Sequence, residues 1–328
     1  MKKMVLGLIV LFLLVGSQFA SASDDDVEKI ADLLLIPTQG QVLSGLSYDS
    51  LNLSAKYTLA NTDFFNISLK ESRLNYSFLY GFSDKHSVGF DLKYTLSKED
   101  RTDYASSLFT DYSTNSKGFY DPAVKVKGRF FGNSNSNTKG NYKLSLSPKI
   151  IDAKQATKNN EGTRGKGGTD ISAGIDFGTS LKSYQIAILV NYTMKGGSSK
   201  QSADGSYEDN YSGGNILNTQ IAGQLILSPG ITGGLFYIYN DEDSTTVESK
   251  ALKSGGSNFT AKLGKHTTQS YGLDSSFELN QHNLFYVIYE IASANTVNYD
   301  LISGSSTLSG NIKDINGTGV YIGWLGRF

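Results

Sequence analysis

The chain ends in the nine residues VYIGWLGRF, from Val320 to Phe328, and this stretch decides the fold. Because successive side chains of a β-strand point to opposite faces, every second residue shares a face. The apolar face holds Val320, Ile322, Trp324 and Phe328, with Gly326 in the remaining slot. Soluble domains usually end in solvated, loosely held residues, whereas bacterial outer-membrane β-barrels commonly end on an aromatic residue that resembles the signal read by the barrel-insertion machinery. We therefore expect Trp324 and Phe328 to be a membrane-insertion signal.

The opposite end of the chain has the parts of an export signal. A basic start and an apolar run from Val5 to Val15 precede a small-x-small pattern at residues 20–22. The run is too short for a membrane-spanning helix, which needs about 20 apolar residues. The predicted division of the chain is a cleaved signal peptide at 1–22, a periplasmic N-terminal segment at 23–40 and a transmembrane β-barrel at 41–328.

A short helix is predicted within that N-terminal segment, from Asp24 to Leu35. Acidic residues at its start favour a helix N-terminus, and Pro37 follows its apolar stripe and stops it. Two placements are open, either across the periplasmic mouth of the barrel or as an ordered tail.

The composition excludes several classes of protein. There is no cysteine, so disulfides and thiolate metal sites are ruled out. The net charge of −1 gives no argument for nucleic acid as a partner. Glycine and tyrosine are abundant and proline is scarce, which suits many strands joined by polar turns. With a mean hydropathy of −0.26, membrane residence is expected only as a barrel, whose alternation hides its hydrophobicity.

Strand-like alternation recurs along the chain and predicts an all-β, antiparallel, up-and-down transmembrane barrel of about twelve strands. Residues 184–194 show the pattern clearly, because large apolar or aromatic residues occupy every second position from Tyr184 to Met194. Between Leu69 and Leu74 the apolar phase slips, which predicts a bulge.

The connections between these segments alternate in length. Short turns are predicted at 83–86, 133–140, 181–183, 228–230 and 280–282. Long polar links are predicted near 97–118, 155–168, 196–213, 241–258 and 297–313. Short periplasmic turns and long extracellular loops are typical of outer-membrane barrels.

Sequence motifs for catalysis and cofactor binding are weak. His86 and His282 fall in predicted periplasmic turns, where solvated polar residues are usual. His266 and Ser270 would lie about 13 Å apart on a strand, too far for a hydrogen bond, which leaves only a partner from another strand open. The glycine-rich stretch 162–169 fails the P-loop pattern because Gly167 follows Lys166, and it is interpreted as a mobile surface loop. Acidic clusters near 99–103 and 241–243 are interpreted as solvated charge. We predict no catalytic residues, no metal site and no cofactor.

Charged residues at inward positions are the candidate functional residues. Charges on the lipid face would cost about 2–4 kcal/mol each at the midplane, so strand charges are expected to face the lumen. A basic wall is predicted from Lys125, Lys127, Arg129, Lys143 and Lys149. An acidic wall is predicted from Asp274, Glu278 and Glu290, six strands away. Two interpretations are open, a wet pore with a transverse field or salt bridges that close a filled lumen.

From Ser72 onward the chain resembles the outer-membrane family linked to meta-cleavage phenol-degradation pathways. The similar residues are Leu79-Tyr-Gly-Phe82 before a short turn and Gly118-Phe-Tyr-Asp-Pro-Ala-Val-Lys-Val-Lys127, which opens the fourth predicted strand. Before Ser72, the entry to the first predicted strand, Pro37-Thr-Gln-Gly-Gln41, is similar too. The resemblance implies transport of small, including aromatic, compounds.

The sequence thus predicts an outer-membrane channel or transporter for small solutes, with aromatic or hydrophobic compounds among the candidates. The alternative is a non-transporting surface barrel whose loops bind partners or lipopolysaccharide, and the third possibility is an outer-membrane hydrolase. Expected partners are outer-membrane lipids and lipopolysaccharide, the barrel-insertion machinery and a small-molecule solute.

Overall fold

The computed structural model describes residues 31–60, 62–181 and 183–328, so the predicted signal peptide lies outside the described residues. The strands are β1 (Val42–Leu59), β2 (Thr62–Ser83), β3 (His86–Tyr104), β4 (Tyr112–Phe119), β5 (Ala123–Phe131), β6 (Thr138–Ser147), β7 (Lys154–Gln155), β8 (Asp170–Ser180), β9 (Tyr184–Lys195), β10 (Ser198–Ser202), β11 (Tyr207–Gly213), β12 (Ile216–Ser228), β13 (Ile231–Glu242), β14 (Thr245–Ala251), β15 (Phe259–Leu263), β16 (His266–Asn280), β17 (Asn283–Ala294), β18 (Val297–Ser303) and β19 (Ser306–Arg327). No helix in this part of the chain is long and apolar enough to cross a membrane.

Twelve strands close into a barrel, as the alternation predicts. In order around the wall they are β1, β2, β3, β4 continued by β5, β6, β8, β9, β12, β13, β16, β17 and β19. The last strand returns to the first and pairs with it from Leu43↔Arg327 to Leu59↔Gly310. Each wall strand therefore has two antiparallel partners, which satisfies the backbone inside a bilayer without leaving an edge.

Both ends of the barrel chain lie at the end of the barrel with short turns. The nitrogen of Val42 donates to the carbonyl of Phe328 at 2.7 Å, and the nitrogen of Phe328 donates back at 2.9 Å. The short connections 84–85, 132–137, 181–183, 229–230 and 281–282 lie at the same end. This arrangement confirms the predicted topology and makes this end periplasmic.

The extracellular connections differ from the predicted polar loops. Most of their residues form further strands, including the hairpins β10–β11 and β14–β15 and the strand β18, which extend the sheet above the barrel. Backbone groups at the rim need hydrogen-bond partners, and neighbouring connections supply them to one another. The connection between β1 and β2 is a two-residue exception, with Ala60 at a φ of 48°.

The outer surface of the barrel is an apolar belt. Large apolar side chains on neighbouring strands are exposed there, among them Ile175, Ile188, Ile221, Leu273 and Ile322. Cross-strand register places them on one face, since Ile175 pairs with Val190 and Ile221 pairs with Ile188. A bilayer is the environment that such a surface requires.

The polarity of the two faces reverses along the strands. In the lower half of β1, Tyr48 faces outward and buried Asp49 faces inward. Nearer the extracellular end, outward Ser54 is exposed, whereas inward Ala55 is buried in an apolar cluster with Val297 and Ile312. Above the bilayer the outside meets water, so the apolar residues move to the inside.

This reversal explains the phase slip predicted as a bulge in β2. A register shift does occur there, between Ser72 and Arg73 in the pairing of β2 with β3, but the extra residue is on β3. Against β1, strand β2 pairs without interruption from Tyr80 to Phe65. The phase change in β2 therefore marks the membrane boundary.

A charge on the belt should destabilise the barrel only within the bilayer. Ile175, at the centre of β8 and 56% exposed, faces lipid. We expect Ile175→Arg to lower the free energy of unfolding by about 2–4 kcal/mol in lipid vesicles. Ser54→Arg, also outward but above the bilayer, is the control and should change it by less than about 0.5 kcal/mol. Equal losses for both variants would contradict the assigned boundary.

Candidate functional site in the barrel lumen

Four of the five predicted basic residues lie on the inner wall. Strands β5 and β6 present Lys125, Lys127, Arg129 and Lys143 to the lumen, with Lys127 opposite Lys143 in the register. Their outward neighbours include exposed Val124 and Leu144, which fixes the inward face. Lys149 is different, because β6 ends at Ser147 and Lys149 is exposed beyond it. Lys149 is exposed because the strand ends before it, so the alternation of the strand no longer assigns it to the lumen.

Carboxylates on neighbouring strands pair with two of these lysines. The ammonium of Lys125 lies 2.5 Å from Asp91 Oδ1 and also donates to Ser77 Oγ at 2.7 Å. The ammonium of Lys143 lies 2.9 Å from Asp176 Oδ1. Asp91 and Asp176 alternate with apolar residues in the sequence, yet the basic-wall prediction omits them. Carboxylates on strands next to the basic wall therefore neutralise part of its charge.

A further charge network, outside the two predicted walls, lies on β1 and β2. Arg73 Nε donates to Asp49 Oδ2 at 2.7 Å, and Asn75 Nδ2 donates to the same oxygen at 2.6 Å. Above it, the buried carboxylate of Glu71 accepts hydrogen bonds from Thr95 at 2.8 Å and from Tyr120 at 2.8 Å. In the sequence, this network is indicated only by the polar residues at the inward positions of β1 and β2.

The predicted acidic residues also face the lumen, but two of them bind neutral groups. Asp274 accepts from Gln224 Nε2 at 3.1 Å, and Glu290 accepts from the Tyr321 hydroxyl at 2.7 Å. Glu278 lies next to a periplasmic turn, where its backbone nitrogen donates to the carbonyl of Gly230. The partners of Asp274 and Glu290 come from the same side of the barrel as the acids themselves.

Residues 31–40, the described part of the N-terminal segment, lie inside the periplasmic end of the barrel. Residues 34–37 are buried, and Leu35 packs against inward Leu43, Leu79 and Leu284. Of the two placements left open, these described residues take the one across the mouth, and residues 24–30 of the predicted helix lie outside the described part of the chain. Its described part is not helical, because the Asp32 side chain and carbonyl accept from Leu34 and Leu35 to form a tight turn. The predicted helix therefore does not extend to Leu35.

Buried polar contacts fix this segment to the wall. Asp32 Oδ2 lies 2.7 Å from the ammonium of Lys139, with side chains 6% and 4% exposed. The carbonyl of Leu34 accepts from Arg129 at 2.8 Å and from Asn141 at 2.9 Å. Arg129, predicted as a lumen charge, thus binds the backbone of this segment.

Gly81 on β2 allows the segment to approach the wall closely. A Cβ atom at this position would lie 2.0 Å from the carbonyl oxygen of Thr38 and 2.5 Å from that of Pro37. Backbone hydrogen bonds join the same places, since Gly40 donates to Gly81 and Gly81 donates to Gln41. Any side chain at residue 81 would have to displace the segment.

Two of the histidines contact polar side chains near their predicted positions. His266 Nε2 lies 3.7 Å from Glu242 Oε2, and His86 Nδ1 lies 3.0 Å from Ser83 Oγ in a periplasmic turn. Within the described ranges, no group of three or more His, Asp or Glu side chains is arranged to hold a metal ion.

Solved structures share this fold. The COG4313 outer membrane channel from Pseudomonas putida F1 superposes with a TM-score of 0.53 at 9% identity, over 94% of this chain and 100% of that one. The outer membrane protease OmpT from Escherichia coli (TM-score 0.43, 10% identity, 90% and 99% covered) and a mutant of the TodX monoaromatic hydrocarbon channel (0.43, 8%, 92% and 93%) are more distant. No protein-family model and no curated protein matches the sequence. The closed barrel, its apolar belt and the shared fold identify an outer-membrane β-barrel.

Proposed function

We propose that this protein is an outer-membrane channel for small solutes, with a charged lumen that selects what passes. The observation that supports it best is the set of inward ion pairs at Lys125–Asp91, Lys143–Asp176 and Arg73–Asp49. Inward charges in membrane proteins are expensive and mark pathways for polar solutes. A twelve-strand barrel is intermediate in width between filled eight-strand barrels and wide sixteen-strand porins.

The solutes are small organic compounds, aromatic ones included. The resemblance to the family linked to meta-cleavage phenol degradation carries this part of the proposal. The charged lumen suits polar or ionised compounds, because charges at close quarters tune selectivity more strongly where the dielectric is low. We assign the protein no catalytic activity. Lipopolysaccharide and the barrel-insertion machinery belong to the same proposal as its contacts in the membrane.

Substitution of the basic wall tests the selectivity. We expect Lys125→Gln combined with Lys143→Gln to shift the reversal potential in planar bilayers toward cations, because Asp91 and Asp176 then lose their counter-ions. The further change Lys127→Gln should extend the shift. The matched control adds Asp91→Asn and Asp176→Asn, which removes both members of each pair and should return the reversal potential toward that of the wild type.

The same recordings separate channel from surface barrel. A wild type without conductance that becomes leaky after these substitutions would show that the ion pairs close a filled lumen, and the channel proposal would be wrong. The non-transporting barrel, whose extended extracellular hairpins would bind partners, would then be the better proposal. Heat-resistant electrophoretic mobility of each variant checks that the barrel has folded.

A further inference from the structure

A polar cavity of about 290 Å³ lies at the extracellular end of the lumen, under the glycine-rich stretch. The stretch folds back onto β4, where Gly162 donates to the carbonyl of Asn115 at 2.9 Å. The buried carboxylate of Asp121 anchors it by accepting from the backbone nitrogens of Ile150, Ile151 and Lys166 at 2.7, 2.6 and 2.7 Å. The expectation of a mobile surface loop is therefore wrong.

Glycine is required here for packing. A Cβ on Gly165 would lie 2.2 Å from the carbonyl of Ile151. Gly167 has a φ of +79°, and a Cβ there would lie 2.3 Å from the carbonyl of Ser199. The glycine-rich stretch thus packs tightly between Ile151 and β10. It forms one wall of the cavity.

The charged side chains that line the cavity are mainly cationic. They are Lys98, Lys154, Arg164, Lys166 and Lys200, against one carboxylate, Asp100, among the described lining residues. Three of the cations have carboxylate partners. These pairs are Lys98–Asp100 at 2.7 Å, Lys166–Asp170 at 2.8 Å and Arg164–Glu71 at 3.4 Å. Hydroxyl donors are also present on Thr114, Ser116 and Thr163.

Lys200 differs from those three cations. Its ammonium lies over the ring of Tyr211, 5.2 Å from the centroid. The carboxylate opposite it in the ladder, Asp209, accepts instead from Gln155 at 2.7 Å. Among the described residues, no carboxylate lies within ion-pair distance of Lys200. The cavity therefore holds a half-buried positive charge without a counter-ion.

A second polar group in the cavity also lacks a partner. Arg164 Nε is buried and makes no hydrogen bond, although the guanidinium lies over the ring of Tyr120 at 4.5 Å.

Burial, with repulsion from Arg164, Lys98 and Lys195, lowers the pKa of the Lys200 ammonium from its usual value. An anion between Arg164 and Lys200 would relieve this repulsion and satisfy the unpaired donor.

We propose that this cavity binds a small organic carboxylate at the extracellular mouth of the lumen. Arg164 and Lys200 contact the carboxylate, and the rings of Tyr120 and Tyr211 border its apolar part. The cavity is close to the lower limit of about 300 Å³ for small-molecule sites, which restricts the ligand to a compact one. The role in uptake rests on the proposed channel function, whereas binding itself does not.

Calorimetric titration of the full-length protein in detergent with benzoate tests this site. We expect saturable binding of benzoate by the wild type and at least tenfold weaker binding by Lys200→Met, which keeps the apolar stem and removes the charge. Lys200→Arg should retain binding. The matched control is Lys250→Met, an exposed lysine on β14 that does not line the cavity, which should bind benzoate as the wild type does.

Three results would overturn the site: equal binding of neutral benzyl alcohol, unchanged binding by Lys200→Met, or equally strong binding of inorganic phosphate, which would indicate a general anion site. If Lys200→Met fails to fold, loss of benzoate binding in Lys200→Gln with normal heat-resistant mobility decides the matter. Benzoate binding without conductance would refute the channel and leave the site standing. Conductance without benzoate binding would refute the site alone.

Discussion

Channels formed by a Lys139→Met variant should conduct several-fold more current than those of the wild type. Methionine keeps most of the length of the lysine side chain but leaves Asp32 buried without its counter-ion. Removal of one member of a buried ion pair costs about 3–5 kcal/mol. Docking of the N-terminal segment depends on this pair, so the segment should leave the periplasmic mouth. The barrel wall does not depend on it, and heat-resistant mobility should persist.

Two controls define the cause of that increase. The double variant Asp32→Leu with Lys139→Met replaces the pair by apolar groups, which is often energetically neutral, and should restore the wild-type conductance. Deletion of residues 31–37 should reproduce the high conductance of Lys139→Met. If neither the deletion nor the single variant changes the conductance, the segment does not obstruct the passage.

A Gly81→Ala variant should also raise the conductance, because its side chain would clash with the N-terminal segment. Its Cβ would meet the Thr38 carbonyl, and backbone cannot move aside as a flexible side chain can. The conductance should therefore rise as it does for Lys139→Met, while the Asp32–Lys139 pair remains chemically intact. Wild-type conductance would show that β2 and the segment can separate without loss of the obstruction.

Deletion of Phe328 should reduce the amount of protein inserted in the outer membrane by more than tenfold. Phe328 has two roles in the structure. Its backbone exchanges two hydrogen bonds with Val42 where the first and last strands meet. Its ring lies 6.1 Å from that of Trp324, on the outward face next to the periplasmic rim.

Phe328→Ala separates these roles, because it keeps the backbone bonds and removes the ring. We expect this variant to fold in vitro in lipid vesicles but to insert poorly in cells if the ring of Phe328 is part of an insertion signal. Phe285→Ala, which removes another outward aromatic at the same end, is the control and should insert normally. Normal insertion of Phe328→Ala in cells would remove the signal role. Failure in vitro as well would assign the effect to closure of the barrel.

Local pattern was enough to predict the barrel wall. The period of two in β8, β9, β16 and β17 and the turn residues between them are properties of neighbouring residues in the sequence. The strand number and the periplasmic turns followed from them. The inward positions of Lys125, Lys143, Asp274 and Glu290 followed as well, because alternation assigns a face to each residue wherever one face is apolar.

The partners of those residues were decided by the tertiary structure. Asp91 meets Lys125 across 34 positions of sequence, and Asp32 meets Lys139 across 107. Such contacts depend on strand register and on the path of segments that enter the lumen, which alternation does not encode.

The sequence by itself therefore determined that this chain forms a closed, lipid-facing barrel, because amphipathic alternation is a local property. Only the tertiary structure decided what fills the lumen. The segment at the periplasmic mouth and the glycine-rich stretch at the extracellular mouth are held by buried contacts between residues far apart in the chain. Their positions exist only once the barrel has closed around them.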